Sequence, residues 1–204
     1  MTNGSSSAAS RFPVWLIVVC GCLITVINFG PRASMGFYLT PITMDRGWGR
    51  ETFALAMAWQ NLLWGLGGTL FGAFADRFGT SKTLTIGAGL YALGLLAMGW
   101  ATTPLSFHIA GVVVGLGVAG SAFGIVMAAF GRAVTPEKRT MVFGFATAAG
   151  SFGQFLFSPV TQGLIQAYGW YDSLTILAAL MAVIPLLAIP LMGKPPAKMV
   201  HGHD

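Results

Sequence analysis

The sequence is poor in charged side chains. Asp, Glu, Lys and Arg make up 8% of its 204 residues, whereas apolar residues make up 55%. An ordinary soluble domain carries about 25% charged residues, so this composition excludes a water-exposed surface of normal charge density. The composition therefore predicts an integral membrane protein.

Cysteine is also scarce. Cys20 and Cys22 are its two copies, and both lie in the first apolar stretch. Their spacing does not favour a disulfide, and two thiols fall short of a tetrahedral metal site. We therefore predict packing roles for both cysteines, no metal site and no cofactor.

The long apolar stretches predict an all-α membrane protein. Each is about as long as the roughly 20 residues that cross a bilayer as a helix. We predict a polar tail over 1–12, a transmembrane bundle over 13–192 and a second tail over 193–204, with the first helix retained rather than cleaved. The six predicted transmembrane helices cover 13–39, 52–75, 82–101, 105–131, 140–168 and 173–192.

The short loops differ in their content of Lys and Arg. One side of a six-helix weave carries eight cations and the other side two, Arg46 and Arg50. The positive-inside rule then places both termini in the cytoplasm. The net charge of +5 is an orientation signal, and no nucleic-acid partner is predicted. The eight cations are Arg11, Arg77, Lys82, Arg132, Lys138, Arg139, Lys194 and Lys198.

Glycines lie mainly within the apolar stretches, and several are spaced by four. This spacing lets helix backbones approach closely in lipid, which predicts tight helix packing. Packing alone does not explain so many smooth helices, and sliding or rocking helices are one explanation. The pairs are Gly68 and Gly72, Gly111 and Gly115, and Gly120 and Gly124.

The segment "GAFADRFGTSK" between the second and third predicted helices combines an acid, two cations and flanking glycines. Asp76 ends a helix beside the cations, so the group can make and break ion pairs as helices move. The spacing resembles the signature loop of the major facilitator superfamily, which implies a gating network. Thr80 and Ser81 stand where that family often has basic residues. The candidate gating residues are Gly72, Asp76, Arg77, Gly79 and Lys82.

Two further segments resemble monocarboxylate transporters and their bacterial relatives. "GPRASMGFYL" is similar to their first-helix segment, and "EKRTMVFGFATAAGS" is similar to the entry of their fifth helix. The resemblance covers essentially the whole chain and implies the amino-terminal six-helix half of a twelve-helix transporter. The arginine of the superfamily's fourth-helix motif is missing, with Gly111 at that position, so no proton role is transferred to it.

Arg32 is a cation within an apolar stretch. Burying an arginine in a membrane costs about 2.5–3.5 kcal/mol on insertion scales, so it normally faces a cavity or a partner. Asn28 lies four residues before it and Gly36 four residues after it, which predicts a polar niche where the guanidinium grips a carboxylate. The alternative is that Arg32 snorkels to the outer interface. Because arginine does not readily release a proton, any proton coupling uses another residue.

Other polar side chains within the helices are candidates for the substrate pathway. Gln60 and Asn61 are adjacent, so they point in different directions, and one can reach a cavity while the other joins helices. Ser151, Gln154 and Ser158 recur on one helical face. For these residues, hydrogen bonding between helices is an equally good explanation.

The sequence therefore predicts secondary active transport of a small organic anion, a monocarboxylate by resemblance, through alternating access in a bacterial inner membrane. A proton is the candidate coupling ion, and a second six-helix half is the required partner. The alternatives are a truncated, non-functional transporter fragment and an intramembrane serine protease using Ser151 and His108. No nucleophile motif surrounds Ser151, so we predict that the chain is not an enzyme.

The cation asymmetry predicts the topology. A reporter fused after Asp204 should be cytoplasmic, and one inserted between Gly47 and Gly49 should be external. Accessibility labelling of intact cells checks both positions. External labelling of the carboxyl terminus would contradict the six-helix arrangement.

Overall fold

The computed structural model describes residues 12–192, which form helices and turns but no strand. The helices are α1 (Val14–Ala33), a 3-10 helix (Ser34–Tyr38), α2 (Leu39–Arg46), α3 (Arg50–Phe78), α4 (Thr80–Trp100), α5 (Pro104–Gly120), α6 (Phe123–Ala133), α7 (Pro136–Met181) and α8 (Val183–Leu187). The all-α prediction is confirmed. The predicted tails, 1–11 and 193–204, lie outside the described residues.

Local sequence explains where several helices begin and end. The Thr103 hydroxyl caps α5 by accepting from the Ser106 backbone amide, and the Ser106 hydroxyl accepts from the Thr103 backbone amide. Pro104 occupies the first helical position. Between α3 and α4 the only linking residue is Gly79, with φ +97°. Residues with a Cβ are strained at this positive φ, so a glycine permits the sharp reversal of the chain.

The first predicted helix is longer than expected and is not uniform. Pro31 lies inside α1 and cannot donate a backbone hydrogen bond, and the chain tightens into a 3-10 turn shortly after it. The Ser34 hydroxyl donates to the Pro31 carbonyl at 2.9 Å. The helical path then continues to Arg46, so the prediction that it ends at Leu39 was wrong.

Four helical stretches within residues 12–192 are long and apolar enough to cross a membrane. They are Val14–Arg46, Thr80–Trp100, Pro104–Ala133 and Pro136–Leu187. Helix α3 is long enough at 29 residues, but it is not among them. Its Gln60 and Asn61 and its glycines lower its hydropathy relative to the other stretches.

The last two predicted helices form one long helical stretch, α7, with a break inside it. Gly169 has non-helical backbone angles of φ 83° and ψ 167°, and it lies between the predicted helices 140–168 and 173–192. Gly169 is therefore the place where the direction of α7 changes. Six separate membrane helices are not confirmed by these bounds, and that number stays a prediction.

Helix α5 packs against both α3 and α4, while α1 packs mainly against α7. Glycines allow the close approach of α5. A Cβ at Gly111 would lie 2.7 Å from the Ala56 carbonyl oxygen, and one at Gly117 would lie 2.3 Å from the Tyr91 nitrogen. Both distances are too short for real contacts, so the prediction of glycine-dependent packing is confirmed for α5.

Three of the spaced glycines do not take part in this packing. A Cβ at Gly68, Gly72 or Gly124 would meet no atom within 4 Å among the described residues. For these three, the prediction of tight packing within the bundle was wrong. They border open space instead.

This contrast predicts opposite effects of two alanine substitutions. Gly117→Ala should destabilise the protein by about 1–3 kcal/mol, because the added methyl group meets the backbone of α4. Gly68→Ala should be neutral or stabilising, since alanine is favoured over glycine within a helix by roughly 0.5–1 kcal/mol. Thermal unfolding of the purified protein in detergent checks this, and equal melting temperatures for the two variants would contradict the packing account.

Candidate functional site

Arg32 is held at the end of α1 by contacts to α3. Its Nη2 donates to Oδ1 of Asn61 at 2.5 Å, and its Cζ lies 4.1 Å from the Trp64 ring centroid. Asn61 is itself oriented by donating from Nδ2 to the Met57 carbonyl at 2.8 Å. The guanidinium is therefore fixed in place by an amide and an aromatic ring.

Arg32 has no acidic partner. The described part of the chain places no carboxylate oxygen within 4.0 Å of the Arg32 guanidinium. The ion pair that residues 12–192 do contain joins Arg46 to Asp45 at 3.8 Å. The Arg32 Nε is buried and has no hydrogen-bond partner among residues 12–192. The positive charge of Arg32 is thus uncompensated by acid, and one of its donors is free.

The phenol of Tyr91 interacts electrostatically with Arg32 from α4. The ring is fully buried, and its hydroxyl has no hydrogen-bond partner within the described chain. A neutral phenol does not cancel the charge of the guanidinium. Sequence analysis missed Tyr91 because nothing in the local pattern of α4 distinguishes it from a packing residue.

Asn28 does not join Arg32. Its Nδ2 donates to the Ser121 hydroxyl at 2.6 Å and to the Val118 carbonyl at 3.4 Å, and the residue is 1% exposed. These contacts tie α1 to the end of α5, where the chain turns into α6. A role for Asn28 in substrate binding stays a prediction.

The adjacent amides of α3 point in different directions, as predicted from their positions. Gln60 is 2% exposed and its backbone lies against Gly115 of α5, with the side-chain Oε1 lacking a partner in the described residues. Asn61 is exposed and contacts Arg32. Asn61 therefore belongs to the Arg32 site, and Gln60 lies in the helix interface.

Ser151 and Gln154 border a cavity of about 150 Å³. Ser158 lies one turn further along and hydrogen-bonds the Gln154 carbonyl of its own helix at 3.0 Å. Of the three residues predicted to share one helical face, Ser151 and Gln154 therefore line the cavity and Ser158 does not. The cavity is lined by Phe29, Phe123, Ala146, Thr147, Gly150, Ser151 and Gln154.

A larger cavity of about 440 Å³ runs between α3 and α6. Trp64 and the candidate gating residues Gly72 and Asp76 line its α3 side, and most of the other lining residues are small. The open space beside Gly68, Gly72 and Gly124 is this cavity. Its lining consists of Phe29, Trp64, Gly68, Gly72, Ala75, Asp76, Ala119, Ala122, Phe123, Gly124, Ile125 and Ala128.

The charges around Asp76 are arranged differently from the sequence prediction. Arg77 lies over the Phe78 ring at 5.3 Å, and Lys82 is exposed. Asp76 interacts electrostatically with Arg132, at the end of α6. Arg132 was predicted only as an orientation signal.

Arg132 also contacts Thr80. Its Nη2 donates to the Thr80 hydroxyl at the start of α4. Thr80, which stands where the resembled signature loop often has a basic residue, is therefore an acceptor for a cation supplied by α6. The sequence offers no local signal for this contact, because the two residues are 52 positions apart.

Ser151 and His108 do not form a dyad. His108 Nε2 lies 3.1 Å from the Thr52 carbonyl, a contact between α5 and α3. Ser151 lines the smaller cavity, whose lining does not include His108. The geometry needed for a serine nucleophile and its base is therefore not present at this pair.

Comparison with known proteins gives one family. The sequence model of the Major Facilitator Superfamily matches residues 21–202. Monocarboxylate transporter 11 of Homo sapiens is 25% identical over 199 residues, covering 90% of this chain and 40% of the relative. The 4-hydroxybenzoate transporter PcaK of Pseudomonas aeruginosa is 29% identical over 189 residues, covering 86% of this chain and 40% of the relative. The chain thus spans less than half the length of these relatives.

Solved structures agree on the fold. A mutant peptide transporter POT in complex with sulfate superposes with a TM-score of 0.71 at 19% identity, covering 93% of this chain and 42% of that one. The POT family transporter PepTSo gives a TM-score of 0.69 at 18% identity, with coverages of 87% and 37%. At these identities the likeness establishes the fold alone.

Proposed function

The chain belongs to the major facilitator superfamily, and from this premise we propose that it forms one wall of a secondary transporter for a small organic anion. The family and the transporters among its relatives identify an integral membrane transporter rather than an enzyme, so the protease alternative is set aside. The substrate and the mode of coupling are the subject of the proposal.

The uncompensated charge of Arg32 carries the proposal. A cation within an apolar bundle is stabilised by pairing, and residues 12–192 place no carboxylate within 4.0 Å of the Arg32 guanidinium. Its buried Nε is free to donate, and its planar guanidinium matches a carboxylate at two points. We therefore assign Arg32 as the anchor of an anionic substrate, with Asn61 as the residue that positions it.

A monocarboxylate is the simplest substrate that fits one such cation. Relatives of this chain are named for monocarboxylates and for 4-hydroxybenzoate, and both names describe carboxylates. Ser151 and Gln154 offer a hydroxyl and an amide at the neighbouring cavity for further contacts. A proton is the candidate coupling ion, carried by a residue other than Arg32 because its guanidinium does not readily deprotonate.

We propose that Gly169 divides α7 into two membrane helices, giving a six-helix half with both termini cytoplasmic in a bacterial inner membrane. The break falls at the turn predicted from sequence, and the cation asymmetry of the loops supports the orientation. Alternating access requires a second six-helix half, from a second copy or another chain. A truncated, non-functional fragment is the alternative for this architecture.

The group around Asp76 is proposed as the cytoplasmic gate. Asp76 is exposed and borders the larger cavity, and Arg132 of α6 lies near enough to be influenced by its charge. Gly72 and Gly79 supply open space and the sharp turn, while Arg77 and Lys82 are cations available to a second half. An exposed charge group of this kind can exchange partners as the halves rock.

The anchor role predicts a graded response at position 32. Arg32→Gln should weaken carboxylate binding by at least about tenfold, because it removes a charge-assisted hydrogen bond. Arg32→Lys should keep the charge but lose the planar two-point contact, giving weaker binding rather than none. The measurement is substrate affinity in an assembly that contains both transporter halves.

Arg50→Gln is the matched control, since it removes a cation at the start of α3, away from the Arg32 contacts. It should leave the affinity unchanged. Unaltered affinity in Arg32→Gln would instead support snorkelling and refute the anchor.

The gate role predicts that Asp76→Asn impairs transport more than it impairs insertion, because the substitution removes charge while nearly keeping shape. Transport rate and the amount of folded protein, measured in the two-half assembly, separate the two effects. Asp172→Asn, near the Gly169 break, is the control. Equal losses of folded protein and of transport would mark Asp76 as structural.

A further inference from the structure

Three aromatic rings lie in contact beside the Arg32 site. The ring of Phe29 meets that of Trp64 edge to face, with centroids 6.3 Å apart and an interplanar angle of 87°. Phe29 also meets Phe123 at 6.3 Å and 66°. The rings come from α1, α3 and α6, and each is half-buried. We refer to these three residues as the aromatic cluster.

The aromatic cluster borders both cavities rather than filling the core. Phe29 and Phe123 line the smaller and the larger cavity, and Trp64 lines the larger one. The larger cavity, about 440 Å³, has the size of known ligand pockets. Its remaining walls are mainly glycine and alanine, which leave room for a flat group against the rings.

The charged end of the site lies next to this cluster. Arg32 lies over the Trp64 ring, with Cζ 4.1 Å from the centroid, so it occupies one face of the indole. Phe29 and Arg32 are three residues apart on α1, which places them on neighbouring positions of one helical face. The guanidinium thus lies against the Trp64 ring, which lines the larger cavity, although Arg32 is not itself among the lining residues.

We propose that the site selects carboxylates attached to a planar aromatic ring over short aliphatic carboxylates, with the aromatic cluster determining this specificity. The inference rests on the proposed function, since Arg32 supplies the charge recognition. Aromatic rings favour edge-to-face and offset contacts with one another beyond the area that they bury. Saturated rings of similar size lack this contribution.

Three acids test the preference in an assembly that contains both transporter halves, reconstituted in lipid nanodiscs. Benzoate offers a planar ring, cyclohexanecarboxylate a saturated one, and acetate none. Saturation-transfer NMR detects weak ligands and yields the affinity of each acid by titration. We expect benzoate to bind roughly threefold to tenfold tighter than cyclohexanecarboxylate, and acetate to bind most weakly.

Variants of the aromatic cluster test the assignment. Phe123→Leu keeps an apolar side chain and does not touch the cation–π pair, so it should reduce the benzoate preference toward equality. Trp64→Phe retains a ring and should retain most of the preference. Phe155→Leu is the matched control, because Phe155 is 74% exposed and lines neither cavity.

The outcomes separate the two proposals. Equal binding of benzoate and cyclohexanecarboxylate, or a preference that survives Phe123→Leu, would overturn the ring specificity while leaving the Arg32 anchor intact. An unchanged benzoate affinity in Arg32→Gln would overturn the anchor itself. Absence of a transfer signal from all three acids would overturn both.

Discussion

A positive charge without a negative partner is the constraint around which this bundle is organised. Arg32 lies in an apolar stretch, and the described chain offers it an amide and an indole but no carboxylate. Because such a charge is costly in a membrane, its surroundings must either hydrate it or bring it an anion. Of the two adjacent amides that lower the hydropathy of α3, Asn61 contacts this charge and Gln60 lies in the helix interface.

The packing of the glycines explains how a cavity can exist beside such a site. Gly111 and Gly117 bring α5 into backbone contact with α3 and α4, which gives a close-packed interior. Gly68, Gly72 and Gly124 have the same kind of spacing but face open volume. The same residue type therefore has two uses here, close contact on one face of a helix and a smooth cavity wall on another.

Sequence patterns predicted the features that depend on local chemistry. The helices follow from long apolar stretches, and the reversal at Gly79 follows from a residue that tolerates positive φ. They did not predict that Asn28 turns to Ser121 or that Arg132 binds Thr80. Those contacts depend on which helix faces are neighbours, and residues separated by 52 to 93 positions carry no periodic signal of their proximity.

The two ends of the bundle are tied in different ways, and this difference suits a rocking mechanism. At one end, Arg46 donates to the Gly99 carbonyl at 3.1 Å and lies over the Trp170 ring, while Trp100 donates to the Tyr171 hydroxyl. These contacts join α2, α4 and the segment of α7 beyond its break. At the other end lies the exposed Asp76, where Arg132 of α6 donates to the Thr80 hydroxyl of α4. In the proposed transporter, contacts at both ends would hold the bundle together as it rocks, and the exposed Asp76 would be open to partners on the second half.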